Sequence, residues 1–301
     1  MKISTLVSTF FGACAVIVAT GVFPLKAVTF EEYEAAVKEN IEVNIKGINL
    51  GDKKNLTARL YKPSGDGPFP AIIALHGAGG IFPYQLWWAK TVSQKQIVVL
   101  FIDSYCSRGL LCTHHTDDTD PKRGQIMRSW DKVSIKQRML DAGAGYKFLS
   151  SKGYVDKNLI GLIGWSWGGT TALFAQKFSE RLKLPNGGFK GTIAFYPNLK
   201  QVIEQRNWKN SGKIKQPTLI LYGKRDKLES EESYKSLLNN NHSGPILVKG
   251  YDGAVRKFDE LGGLRTKRHP RIGEFEKAFN KPAFENALTE VMNFLIKYFK
   301  R

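Results

Sequence analysis

From residue 55 onward the chain alternates short, fully apolar runs with longer stretches in which apolar side chains return every three or four positions. Such alternation predicts a mostly parallel sheet covered by helices, because a strand buried on both faces has no polar face to show. The predicted strands are residues 71–75 (AIIAL), 97–102 (IVVLFI), 159–164 (LIGLIG), 191–196 (GTIAFY), 217–223 (PTLILYG) and 245–251 (PILVKGY). Residues 134–150 and 168–183 read as helices between them. Residues 283–300 read as the last helix, with Phe284, Leu288, Val291, Leu295 and Tyr298 on one face. Pro282 suits its first turn, where a missing N–H costs nothing. Residues 28–60, mixed and polar, read as an antiparallel edge in front of the parallel part.

The 301 residues, 42% of them apolar, suffice for one large α/β domain over residues 28–301, and no internal repeat divides them. Residues 1–27 follow a different pattern. Lys2 precedes a run without charge until Lys26, which is the layout of a signal peptide, with cleavage after the small pair Ala19 and Gly21 or after Ala27. The alternative is an uncleaved anchor, since the uncharged run approaches the roughly 20 residues that span a bilayer. A lipoprotein site at Cys14 fits less well, because the residues after it stay apolar. In an exported chain, periplasmic or secreted, Cys106 and Cys112 form a candidate disulfide across CSRGLLC; two free buried thiols are the alternative.

A formal charge of +18 loses only Lys2 and Lys26 on cleavage. The mature surface would stay basic, either drawn to anionic lipid or polymer or simply solvated. No Cys/His zinc spacing appears and the basic residues are scattered, so the sequence carries no nucleic-acid module.

Candidate chemistry belongs at the carboxyl ends of the predicted strands, where the loops gather. The segment LIGLIGWSWGGTTALF passes from strand through a sharp turn into a helix. Gly164, Ser166 and Gly168 in it fit the G-x-S-x-G nucleophile elbow, although small residues at such a turn also serve packing alone. The turn ALHGAGG, residues 74–80, offers the Ala78 N–H, which with the Trp167 N–H makes a candidate oxyanion hole. His76 reads as a brace for that turn. In LILYGKRDKL, Asp226 stands three residues after Gly223, where a carboxylate can orient an imidazole; an exposed turn aspartate beside Lys224, Arg225 and Lys227 is the plainer reading.

These motifs, in this order, make the chain resemble the dienelactone hydrolase family of the α/β-hydrolase superfamily over most of residues 55–299. FIDSYCSRG, DAGAGYKFL and FYP fall in the family's order as well. The family prototype carries cysteine at the elbow, whereas Ser166 resembles its serine-bearing relatives. The resemblance implies an α/β-hydrolase fold, a small-molecule ester or lactone substrate and no cofactor or metal. After the last core strand the family shows Tyr-x-Gly-Ala-x-His-x-Phe-Asp, and this chain reads YDGAVRKFD, residues 251–259. Tyr251, Gly253, Ala254, Phe258 and Asp259 match, but Arg256 stands where the histidine belongs.

Arginine stays protonated at physiological pH and cannot be the general base. His269, in LRTKRHPRIG before the last helix, is the preferred substitute. His114 and His115, in CTHHTDDTD, lie in a loop that can hang over the pocket, bind a metal with Asp117, Asp118 or Asp120, or simply be solvated. His242 reads as part of an exposed turn. Two functions follow. One is an exported serine hydrolase with Ser166, Asp226 and His269 as its catalytic residues; the other is a lapsed hydrolase fold in which Arg256 binds an anionic small molecule. Mass spectrometry of protein from its native host is expected to find an N-terminus between residues 22 and 28, and intact Met1 in the cytosol would remove the leader.

Overall fold

The computed structural model describes residues 28–47, 55–110, 132–199, 213–238, 242–269 and 273–300. The strands are β1 (Ile41–Lys46), β2 (Asn55–Tyr61), β3 (Phe69–Leu75), β4 (Val98–Asp103), β5 (Val155–Trp165), β6 (Thr192–Phe195), β7 (Thr218–Gly223) and β8 (Ile246–Tyr251). Among the described residues they form one eight-stranded sheet in the order β1-β2-β4-β3-β5-β6-β7-β8. β1 with β2 and β2 with β4 run antiparallel, and every later pair runs parallel. Each predicted apolar run is a strand. The expected antiparallel edge is there too.

Alternate strand residues face two separate cores, as the period of two requires. Ile72, Ala74, Val99, Phe101, Ile163, Trp165, Ile193 and Phe195 point to one side, in the core shared with α2 (Pro83–Ser93), α5 (Glu231–Leu238) and α6 (Lys281–Phe299). Ile73, Leu75, Leu100, Ile102, Ile160 and Leu162 point to the other, against Ala142, Tyr146 and Leu149 of α3 (Ile135–Ser150) and Ala172 and Ala175 of α4 (Trp167–Lys177). Of the apolar face predicted for the last helix, Phe284, Val291 and Leu295 are buried and Leu288 and Tyr298 half-buried. No helix among the described residues is long and apolar enough to cross a membrane.

Local signals set the helix ends. Ser134 caps α3 through a capping box with Gln137, and Asn280 caps α6 by accepting the Ala283 N–H. The helix expected over 168–183 ends earlier, at Lys177. Phe178 leaves helical geometry there and Ser179–Leu182 closes a 3-10 turn. Residues 28–60 also contain α1 (Phe30–Lys38), which their polarity conceals. Its sequence signal is the capping box of Thr29 and Glu32. Near the other end, β9 (Arg265–His269) and β10 (Gly273–Lys277), absent from the predicted strands, pair as a separate antiparallel ribbon.

The sheet register gathers the carboxyl ends. Leu75 sits beside Gly164, Trp165 beside Phe195, Phe195 beside Leu221, and Gly223 beside Tyr251. The loops leaving β3, β5, β6, β7 and β8 therefore meet at one edge.

Candidate active site

The end of β5 passes into Ser166, and α4 begins at the next residue. Ser166 has φ 53° and ψ −119°, a strained conformation of the kind that costs roughly 1–3 kcal/mol. Its N–H donates to the Phe195 carbonyl at 2.8 Å, and its carbonyl accepts the Thr170 N–H at 3.0 Å. The crowding expected of an elbow is present. A Cβ on Gly164 would lie 2.3 Å from the Gly168 oxygen, and one on Gly168 only 2.0 Å from the Leu75 oxygen. Both positions must stay glycine for the turn to close.

The turn after β3 lies against this elbow. A Cβ on Gly77 would be 3.5 Å from the Ser166 Cβ and 4.0 Å from its Oγ. The turn is closed by the Gly80 N–H donating to Gly77 O at 3.2 Å. Its Ala78 residue is half-buried, and Tyr105 holds the Ala78 carbonyl at 3.1 Å. Trp167 opens α4, so its N–H belongs to the helix N-terminus, where amide dipoles favour negative charge. These are the two amides expected to receive an oxyanion.

His76 braces the turn, as its sequence position suggested. Its Nδ1–H donates to Gly77 O at 2.7 Å and its Nε2 accepts the Ser104 N–H at 3.1 Å. Burial, helped by the nearby Arg138 cation, pushes its pKa down to about 3. The ring stays neutral and both nitrogens are engaged.

Asp226 follows β7 in a turn closed by its own N–H on Gly223 O, 3.0 Å. It is 5% exposed, so the exposed-turn reading does not describe it. The loop after β8 runs alongside, with Arg225 N–H on Ala254 O at 2.9 Å, and delivers Arg256. Arg256 is 2% exposed. Its Nη1 donates to Asp226 Oδ2 at 2.6 Å, and its Nη2 donates to Ser166 Oγ at 2.8 Å, to the Tyr196 carbonyl at 2.9 Å and to Asn198 Oδ1. The guanidinium lies 5.2 Å from the Tyr196 ring centre. Burial is the largest single effect and works against its charge, but Asp226 together with the nearby Tyr234 and Tyr196 outweighs it and moves the pKa up. Arg256 is a permanent cation bridging acid and serine.

Asn198 and Tyr196 were not singled out from the sequence. Asn198 is set by its N–H on Thr170 Oγ1 at 2.8 Å, and its Oδ1 accepts the Ser166 hydroxyl at 3.4 Å. The only signal for either was a polar residue close behind a buried strand, in FYPN.

The structure thus brings Ser166, Asp226, Arg256, Ala78 and Trp167 together. His269 ends β9, opposite Gly273. The other end of that ribbon, where Arg265 faces Lys277, is the end bridged to Arg256. The His269 backbone is about 13 Å further along at ordinary strand rise. His242 bridges Ile214 ahead of β7 and β8, at the opposite edge of the sheet from Ser166. His114, His115 and Cys112 lie outside the described residues, as does the leader.

A model of the dienelactone hydrolase family matches residues 56–299. The chain belongs to that family. No curated protein sequence matches it. Solved structures similar to this dienelactone hydrolase family member include a dienelactone hydrolase-like promiscuous phosphotriesterase, P91, from metagenomic libraries. That likeness has 16% identity, covers 87% of this chain and 99% of the other, and has a TM-score of 0.65. Esterase 2 of Thermogutta terrifontis, phosphoramylated by tabun, has 16% identity, 87% and 95% coverage and a TM-score of 0.60. Dienelactone hydrolase of Anabaena variabilis has 16% identity, 87% and 99% coverage and a TM-score of 0.56. At such identities the likeness shows the fold, a mostly parallel sheet flanked by helices.

For this dienelactone hydrolase family member, Gly168→Ala is expected to destabilise by about 3 kcal/mol or more, because the new methyl meets backbone that cannot retreat. Urea unfolding monitored by tryptophan fluorescence measures the loss, and an unchanged midpoint would show that the elbow relaxes.

Proposed function

We propose that the protein is an exported serine hydrolase acting on a small carboxylic ester or lactone, with Ser166 as nucleophile. The observation that carries this reading is the Arg256 guanidinium placed 2.8 Å from Ser166 Oγ and 2.6 Å from Asp226, beside the Ala78 turn. Oγ attacks the substrate carbonyl, whose developing oxyanion is received by the Ala78 and Trp167 amides. Arg256 does not take the serine proton. It lowers the cost of negative charge on Oγ by donating to it, and Asp226 holds it in that position. The proton passes to water, the leaving group is protonated from solvent, and water then cleaves the acyl-serine ester.

The lapsed-enzyme reading needs Arg256 to be open to an anionic ligand. The guanidinium is instead 2% exposed and committed to Asp226 and Ser166, which favours the hydrolase. Export rests on the Lys2 leader and the Cys106–Cys112 spacing. The names of the structural neighbours, a phosphotriesterase and an esterase carrying a tabun adduct, support ester-type electrophiles as the class to try.

A fluorophosphonate is expected to modify Ser166, with loss of the adduct in Ser166→Ala, and short p-nitrophenyl esters to turn over slowly. Arg256→His restores the residue type that the loop resembles, and should raise turnover tenfold or more, equivalent to about 1.4 kcal/mol of transition-state stabilisation. Unchanged turnover together with weaker retention of an acidic ligand would favour the binding reading. If His269 is the base, His269→Ala lowers the rate by roughly 10²–10⁴-fold; no change leaves water as the acceptor.

A further inference from the structure

Asp259 lies three residues beyond Arg256 and is wholly buried, 0% exposed. Its Oδ2 accepts the indole N–H groups of Trp165 at 2.9 Å and Trp88 at 3.1 Å, and its Oδ1 accepts the Tyr196 hydroxyl at 2.7 Å. Two of these donors are parts of the candidate site. Trp165 is joined by its peptide bond to Ser166. Tyr196 offers its carbonyl to Arg256 and places its ring beside the guanidinium. Tyr196 also has φ 36°, in the left-handed region, and its N–H donates to Leu221 O at 2.6 Å. A strained residue of this kind keeps its geometry only if several contacts impose it.

No cation forms an ion pair with Asp259 among the described residues. The charged and titratable groups around it are Tyr33 of α1, Tyr84 of α2, Tyr196, Glu260 and, through Tyr196, Arg256. Burial pushes all three phenols up, so they stay neutral. Glu260 is occupied by Lys257 at 2.8 Å and Lys277 at 3.0 Å. Burial raises the Asp259 pKa to about 6, with the Tyr196 and Trp165 hydrogen bonds pulling it back only in part. Because this folded value lies above the roughly 3.9 of an unfolded aspartate, the folded state holds the proton more tightly. Asp259's contribution to stability is therefore lost as pH rises from about 4 to about 6. Ionisation weakens the fold. What it strengthens is the set of hydrogen bonds from Trp165 and Tyr196, which become charge-assisted.

We propose that Asp259 is the positioning residue of the serine site: as a carboxylate it anchors Trp165 and Tyr196 and so holds Ser166 Oγ against Arg256, and as a neutral acid it releases that register. The proposal rests on the reading of Ser166 as nucleophile. A neutral carboxyl turns one acceptor position into an O–H donor, so two indoles and a phenol then compete for what remains. The amide introduced by Asp259→Asn would keep an oxygen for both indoles and an NH₂ for the Tyr196 hydroxyl, which can pass its own hydrogen to Tyr84, 3.2 Å away. It would not titrate.

The test is the rate of Ser166 modification by a fluorophosphonate in the full chain, from pH 4.5 to 8, for the wild type and Asp259→Asn. The wild-type rate is expected to fall below about pH 6 at least tenfold more steeply than that of the variant, which should show no break there. The same break in a folded Asp259→Asn protein would overturn the proposal. Absence of any Ser166 adduct in the wild type at every pH would instead overturn the nucleophile reading, and positioning with it. If the variant does not fold, the Trp165 indole N–H resonance of the wild type decides: a shift with its midpoint near pH 6 supports the proposal, and a flat profile across pH 5–7 overturns it.

Discussion

The Arg256–Asp226 ion pair is the interaction on which the rest of the site depends. A guanidinium taken out of water is costly unless its charge and its donors are answered, and a buried pair is not in itself a large source of stability. Removing one partner is a different matter, since it strands the other charge at a cost of about 3–5 kcal/mol. Asp226 from the β7 loop, Ser166 from the elbow, and Tyr196 and Asn198 from the β6 loop each meet one part of that demand. Three chain segments are thereby held to a cation carried by a fourth.

The sheet makes this convergence possible. Parallel neighbours in register bring the ends of β3, β5, β6, β7 and β8 to one edge, and the close approach of Gly168 to Leu75 seats the elbow against the β3 turn. Strain gathers at the same place. Ser166 and Tyr196, neither of them glycine, both have positive φ, and each is held by a backbone hydrogen bond to a neighbouring strand end.

In the proposed chemistry, a donor stands beside the nucleophile where the family pattern presents an acceptor. Such a site stabilises an alkoxide electrostatically but leaves the proton to another group, so it suits electrophiles whose leaving groups depart without protonation. The oxygen's exact placement is important as well, because the guanidinium contact weakens quickly with misalignment. The buried Asp259 beneath Trp165 and Tyr196 fits that need, and it is a carboxylate where packing alone would favour an uncharged side chain.

Much of the molecule is legible in the sequence because the relevant physics is local. Apolar runs without a polar face mark the buried strands, the Gly-x-Ser-x-Gly spacing marks a turn that admits no Cβ at its flanks, and Asp226 is placed by its distance from the end of β7. Where local signals were weak or mixed, as in α1 and the β9–β10 ribbon, elements went unread. The tertiary structure alone decided what Arg256 does. Composition permits it to face solvent, a ligand or another side chain, and only the meeting of residues 166, 196, 198 and 226, from 30 to 90 positions away in the chain, commits its donors. Asn198, Tyr196 and Asp259 follow the same rule: a hydrogen bond between distant segments has no periodicity to betray it, and exists only once the sheet has set the register of their strands.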